Sequence, residues 1–275
     1  MNPWLLAALY TLAALLIIFC TYLILIKPAA RRGGMEKYKG VKFAHRGLHS
    51  EGVPENSLAA FRLAVNSGFG IELDVHAVKD GVPVVFHDAE LKRMTGADGR
   101  LADYTSEELG NMRLLGTDEK IPTFREVLEL IGGKVPLIIE LKQNAGETGV
   151  AEAAAELLRD YEGDFVVESF DPVTVGKFKK LMPEVQRGIL SMHFTKKKTH
   201  RSLKSYLAEM LVFNRIASPD FVAFCHSDAS FASFKLVRGV WDAYTVAWTV
   251  RSKEEEDAAI KNGFDCVIFE NYIPE

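Results

Sequence analysis

The sequence predicts an α/β protein: a closed barrel of eight parallel strands wrapped by helices, preceded by one N-terminal transmembrane helix. Three observations carry this. Short apolar runs alternate with amphipathic stretches from Val41–Ala44 to Cys266–Phe269. Nine such runs read as strands, one more than the barrel needs, and the surplus belongs to a hairpin. The segment Pro3–Ile26 is a 24-residue apolar run without a formal charge, where about 20 residues cross a bilayer. An open doubly wound sheet is the alternative, but no glycine-rich dinucleotide fingerprint follows the first strand.

The chain divides into an anchor over 1–27, a basic linker over 28–40 and a barrel over 41–275, with an insertion at about 90–120. A cleaved signal peptide would have a basic start and an apolar core of about 7–15 residues; this run has neither. Lys27, Arg31, Arg32, Lys37, Lys39 and Lys42 follow it. Positive flanks stay inside, so the expectation is a single-pass cell-membrane protein with its barrel in the cytoplasm. A net charge of −4 gives no support for nucleic acid as a partner. Cys20, Cys225 and Cys266 have no metal spacing and are expected to be free, buried thiols.

Taken in order, Val41–Ala44 is the first strand and ends at His45-Arg46-Gly47. Ser57 can cap a helix with Leu58, Phe61, Leu63 and Val65 on its apolar face. Ile71–Asp88 alternates, turns at Asp80-Gly81 and alternates again. The 12 residues between Asp74 and His87 are too few for a crossover helix, so the return is antiparallel. Leu91–Lys120 has four glycines and no clear core stripe, and reads as a loop region with a short helix near Ser106–Met112. Pro122-Thr123 then starts a helix with Phe124, Val127, Leu128 and Ile131 inward. Strands follow at Val135–Leu141, Phe165–Phe170, Gln186–Ser191, Asp220–Cys225, Tyr244–Thr249 and Cys266–Phe269. The helices between them are Val150–Leu158, Pro172–Leu181, one containing Leu203, Tyr206, Leu207 and Met210, Phe231–Val237, and one from Ser252 to Asn262.

In such barrels chemistry sits at strand C-termini. His45, His87, Glu140, Ser169 and Trp248 fall there. Glu72 and Asp74, two apart on one strand, share a face. Side-by-side carboxylates repel unless a cation lies between them or one is protonated. A divalent cation held by Glu72, Asp74 and Glu140 is one reading; an exposed hairpin with ordinary surface charges is the other. Arg46 and Lys142 offer positive charge to an anionic oxygen, and His45 and His87 can move protons. This set suits phosphodiester hydrolysis.

Several motifs strengthen the first reading. HRG at 45–47, PENS at 54–57, ELDV at 72–75, KDG at 79–81, VVFHD at 84–88, LKRMTG at 91–96, PTFREVL at 122–128 and IELK at 139–142 resemble the glycerophosphodiester phosphodiesterase family. SFD at 169–171 and AWTV at 247–250 continue the match more loosely. The resemblance implies a TIM (β/α)8 barrel with a small insertion. It implies one divalent cation, Ca2+ or Mg2+, on Glu72, Asp74 and Glu140, with Glu55 at a further site position. It implies His45 and His87 as general acid and base, Arg46 and Lys142 on the phosphate, and Trp248 as an apolar wall. The implied reaction is attack on phosphorus by the neighbouring glycerol hydroxyl, then opening of the cyclic phosphate by water. Glycerol 3-phosphate and an alcohol are the implied products.

Three features depart from the family pattern. His76 follows ELDV and is expected to be exposed; the C-terminus reads IFENYIPE; and the anchor is not general in the family. The anchor favours a substrate derived from or presented by lipid. The basic stretch 196–204 is either a solvated loop or a contact with anionic lipid. Hydrolysis of glycerophosphodiesters is thus the leading expectation. Lysophospholipase D or phospholipase C-like activity on membrane lipid is the alternative. A membrane-tethered barrel that binds a phosphorylated ligand without turnover comes third, because no histidine or carboxylate of the set is missing.

Overall fold

The computed structural model describes residues 2–29, 32–143, 149–196 and 201–275. Nine strands form one sheet: β1 (Lys42–His45), β2 (Gly70–Ala77), β3 (Pro83–Val85), β4 (Leu137–Leu141), β5 (Phe165–Ser169), β6 (Arg187–Ser191), β7 (Phe221–Cys225), β8 (Tyr244–Val250) and β9 (Cys266–Phe269). Eight of them are parallel and close on themselves, because β1 pairs with both β2 and β9. The ninth, β3, runs antiparallel along β2 outside the ring. Its hairpin turns where Gly81 adopts a φ of 79°, a conformation glycine takes without steric cost.

The helices are α1 (Pro3–Ile26), α2 (Leu58–Asn66), α3 (Lys92–Thr95), α4 (Ser106–Leu109), α5 (Phe124–Ile131), α6 (Val150–Leu158), α7 (Pro172–Leu181), α8 (Leu203–Glu209), α9 (Asn214–Ala217), α10 (Ala232–Trp241) and α11 (Lys253–Lys261). Their starts are set locally. Ser57, Thr123, Asp171 and Ser252 each cap a helix by accepting from a backbone N–H of the first turn. Thr123 and Glu126 do so reciprocally.

Alternation along each strand sorts side chains between the barrel interior and the helix layer. Phe43, Ile138, Val166, Phe221, Tyr244, Val246 and Ile268 fill the interior. Glycine makes room for two of these rings: a Cβ on Gly188 would lie 2.2 Å from the Phe221 ring, and one on Gly70 2.6 Å from Phe43. Two residues further along the same interior faces come His45, Glu140, Glu168 and Trp248. The interior is therefore apolar at the strand N-termini and charged at the C-terminal mouth.

Four expectations need correction. His76 is fully buried, because β3 and the segment leading to His87 fold over it. Segment 90–120 has a core of its own: Leu91, Met94, Leu101, Leu109 and Leu114 pack on Val84 and Phe86. Their spacing is irregular, so no periodic stripe betrays them, and the helix expected to reach Met112 ends at Leu109. The second half of the linker is packed against the barrel: Met35 and Tyr38 join the interior cluster beneath it. The three cysteines are free, but only Cys266 is buried; Cys20 lies on the outer face of α1 and Cys225 ends β7 at the mouth. Within the basic stretch, residues 197–200 lie outside the described residues.

Candidate active site

Strand register brings the charged residues together. His45 stands opposite Glu72, Asp74 opposite Glu140, and Glu140 opposite Glu168. One ligand oxygen each from Glu72, Asp74 and Glu140 lies within 4.8 Å of the others, and all three side chains are buried. Four buried carboxylates cannot all ionise without cations beside them. Lys142 Nζ lies 2.9 Å from Asp74 Oδ1 and 2.7 Å from Glu140 Oε2. Arg46 Nε lies 3.4 Å from Asp74 Oδ2, and the Arg46 backbone N–H donates to Glu72 at 3.0 Å.

The charge states follow. Burial pushes Glu72 well above the usual carboxylate range, and Asp74 and Glu140 push it further. Burial raises Glu168 well above that range too, with Glu140 adding to it. Burial raises Glu140 as well, against the pull of Lys142. Burial also opposes ionisation of Asp74, but Lys142 and Arg46 outweigh it and hold its carboxyl far below the usual range. An all-oxygen donor set with this excess of buried carboxylates fits a hard divalent cation of the Ca2+ or Mg2+ type.

The two histidines flank the cluster. His45 Nδ1 lies 3.0 Å from Glu270 Oε1, and Nε2 lies 3.9 Å from Glu72 Oε2. The hydrogen bond with His45, with the His49 imidazole 3.4 Å away, holds Glu270 far below the usual carboxylate range. An ionised carboxylate only accepts, so Nδ1 carries the proton and Nε2 presents its lone pair toward the cluster. Burial lowers the His45 imidazole despite Glu270. His87 repeats the arrangement, with Nδ1 2.7 Å from Asp88 Oδ1, and burial lowers it too. Asp88 is tied by Arg93 Nε at 2.6 Å, and Arg93 also forks onto Glu55. Glu55 accepts from Arg46 Nη1 at 2.8 Å and thus links the two flanks of the site.

Trp248 faces the same cavity of about 230 Å³ as both histidines, Glu72, Glu140 and Lys142, with its ring edge-on to Phe170 at 5.6 Å. A wider hollow of about 660 Å³ continues outward past His87 and Lys142 to Lys204. Every site residue expected from the sequence is thus gathered here. Ser169 is different: its hydroxyl donates to Leu141 O at 2.6 Å and accepts from Asp171 N–H, a structural role.

Several members were missed. Glu168 lies in the cavity wall, and its Oε2 has no hydrogen-bond partner among the described residues. Asn56 donates to Asp74 Oδ2 at 2.8 Å, and His76 Nε2 contacts the His87 carbonyl at 3.2 Å. Glu270 belongs to the C-terminal stretch that departs from the family pattern. His76 had a signal, since it sits two residues beyond Asp74 on the same strand face. Asn56 lies within PENS, but Glu270 depends on contacts across the barrel seam that no spacing reveals.

Comparisons with known proteins bear on the family and the fold. Residues 45–273 match the model of the glycerophosphoryl diester phosphodiesterase family. A glycerophosphodiester phosphodiesterase of Caldanaerobacter subterraneus is 34% identical over 245 residues, covering 84% of this chain and 93% of the relative. Human glycerophosphodiester phosphodiesterase 1 is 35% identical over 178 residues, 58% of this chain and 49% of that one. Among solved structures, an Oleispira antarctica phosphodiesterase in complex with the product sn-glycerol-3-phosphate superposes with a TM-score of 0.70 at 25% identity, covering 85% and 94% of the two chains. The Thermotoga maritima glycerophosphodiester phosphodiesterase superposes with a TM-score of 0.62 at 27% identity, covering 84% and 94%. Agreement along nearly the whole barrel, in sequence and in fold, means that this chain belongs to the glycerophosphodiester phosphodiesterase family and is a phosphoric diester hydrolase.

Proposed function

We propose that the chain hydrolyses glycerophosphodiesters to glycerol 3-phosphate and an alcohol, with His45 and His87 moving the protons. The observation that carries this is the pair of imidazoles, each held at Nδ1 by a carboxylate, on either side of one buried acidic cluster. Glu72, Asp74 and Glu140 would hold a Ca2+ or Mg2+ ion, which when bound neutralises charge on the phosphate oxygens.

His45 takes the base role: its side chain is 14% exposed and its Nε2 faces the cluster. It accepts the proton of the glycerol hydroxyl that attacks phosphorus. His87, 32% exposed and nearer the outer hollow, supplies the proton to the departing alcohol. Arg46 and Lys142 bind phosphate oxygens, Glu55 fixes Arg46, and Trp248 walls the glycerol. Water then opens the cyclic phosphate with the two histidines exchanging roles.

The anchor 1–27, the linker 28–40 and the barrel 41–275 remain our division of the chain, with the barrel on the cytoplasmic side of the cell membrane. Helix α1 is long and apolar enough to cross a bilayer. That helix is what favours a second reading, lysophospholipase D or phospholipase C-like action on membrane lipid.

Release of glycerol 3-phosphate from glycerophosphocholine and glycerophosphoethanolamine, and of lysophosphatidic acid from lysophospholipid, with and without chelator, tests both. Turnover should stop with chelator and in His45→Ala and Glu72→Ala. Activity that survives in either variant would show the roles to be misassigned. Exclusive turnover of lysophospholipid would select the second reading.

A further inference from the structure

The way α1 meets the barrel fixes which face of the barrel looks at the membrane. Among the described residues, the hydrogen bonds between α1 and the barrel come from its last turns. Tyr22 Oη donates to Met210 O at 3.1 Å, Asn214 Nδ2 donates to Ile26 O at 2.8 Å, and Ala29 N–H donates to Pro219 O at 2.7 Å. Trp241 Nε1 donates to Leu23 O at 3.0 Å, and Lys27 lies over the same indole.

The heights of these partners are known from the sheet. Ser191, the last residue of β6, bonds Ala208 O at 3.1 Å, so Met210 lies near the mouth. Asp220 N–H donates to Arg187 O at 2.7 Å, and Arg187 is the first residue of β6, so Pro219 lies at the opposite end. Tyr22, Ile26 and Ala29 therefore descend from the mouth to the base. Followed backward, α1 leaves the barrel on the mouth side. Residues 3–21 are exposed apart from a half-buried Leu6. They make about 28 Å of helix, close to one hydrocarbon thickness.

A second observation lies on the same side. At the mouth, Leu203 is 75% and Tyr206 51% exposed, although both belong to the apolar set that marked α8 in the sequence. Arg201 and Lys204 are exposed beside them, and Lys204 also lines the hollow outside the acidic site. Apolar and aromatic side chains among cations are the composition of a surface that rests on anionic lipid.

The geometry points to an interfacial enzyme: the mouth of the barrel, with α8 as its contact surface, rests on the leaflet that α1 enters. This rests on the anchor and site proposed above. It adds that diesters carried by an amphiphile in that leaflet reach the site directly from the head-group layer.

The test uses the full chain in vesicles of phosphatidylcholine and phosphatidylglycerol. Cys20→Ser and Cys225→Ser remove the accessible thiols. A single nitrobenzoxadiazole label is placed at Leu203→Cys or, at the base of the barrel before β4, at Lys134→Cys. The label at 203 should shift to the blue and lose fluorescence to brominated lipid; the label at 134 should do neither. Equal behaviour at both positions, the reverse pattern, or protein that fails to float with the vesicles overturns the inference. Turnover of soluble glycerophosphocholine is measured on the same samples. Intact turnover with an unquenched 203 label refutes the orientation alone. Lost turnover in the unlabelled parent, with the quenching pattern intact, refutes the functional reading alone.

Discussion

Adding a divalent cation should stabilise this protein against heat, and the increment should grow with pH. Two unit charges 4.8 Å apart, the outer limit within the acidic cluster, repel by about 3.5 kcal/mol at an effective permittivity of about 20. Glu72 and Glu140 avoid part of this by holding protons, since both are raised above their ordinary value of 4.5. A raised folded-state pKa gives stability that is complete below the unfolded value and is lost as pH climbs through the folded one. Asp74 is depressed from 3.8, so its contribution is lost only in strong acid and stays constant above about pH 5. The metal-free protein should therefore weaken as pH climbs above about 5. A cation at about 100 times its Kd adds about 2.7 kcal/mol. For a domain of this size that raises Tm by about 5–10 °C. The increment should vanish near pH 4.5, where protons occupy the same oxygens. The assay is thermal unfolding of the full chain in detergent, with chelator or with excess Ca2+ or Mg2+. Glu72→Gln should raise the metal-free Tm at pH 8 and abolish the increment. A Tm unmoved by chelator and cation at pH 8, or a larger increment at pH 5, would refute the reasoning.

Three further outcomes follow from named contacts. Glu270→Gln leaves His45 without its anionic Nδ1 partner, so kcat for glycerophosphocholine should fall about 10–100-fold with KM nearly unchanged, a share of what a positioned base supplies; unchanged kcat would remove Glu270 from the site. Lys142→Met withdraws the ammonium that occupies Asp74 and Glu140 oxygens. Calorimetry should then find tighter cation binding while steady-state assays find turnover lost, and weaker binding would contradict the competition. Gly188→Ala drives a Cβ into the Phe221 ring and should cost about 1–3 kcal/mol of stability, read as a lower Tm; an unchanged Tm would mean that the ring can move aside.

The fold was legible because its signals are local. Alternation of apolar runs and amphipathic helices needs no knowledge of distant contacts, and the Asp80-Gly81 turn forces β3 back along β2. What stayed hidden depends on packing between segments far apart in sequence. The core of segment 90–120 is assembled from Leu91, Met94, Leu101, Leu109 and Leu114 without a period. In α8 the opposite error arises: Leu203 and Tyr206 have the spacing of a buried face and stand exposed. Periodicity reports that a face is apolar, not what covers it.

The site divides along the same line. Glu72 and Asp74 are two apart, Glu140 and Lys142 are two apart, and each pair announces a shared face in the sequence. Their meeting requires only that β2 and β4 be adjacent and in register, which the hairpin outside the ring permits. Glu270 joins His45 through the seam where β1 meets β9, between residues 225 apart in the chain. Closure of the barrel is therefore part of the chemistry proposed here. The strand that completes the ring also brings the carboxylate that sets the proton on His45, so a fault at the C-terminal seam should impair the base while the acidic cluster on β2 and β4 remains assembled.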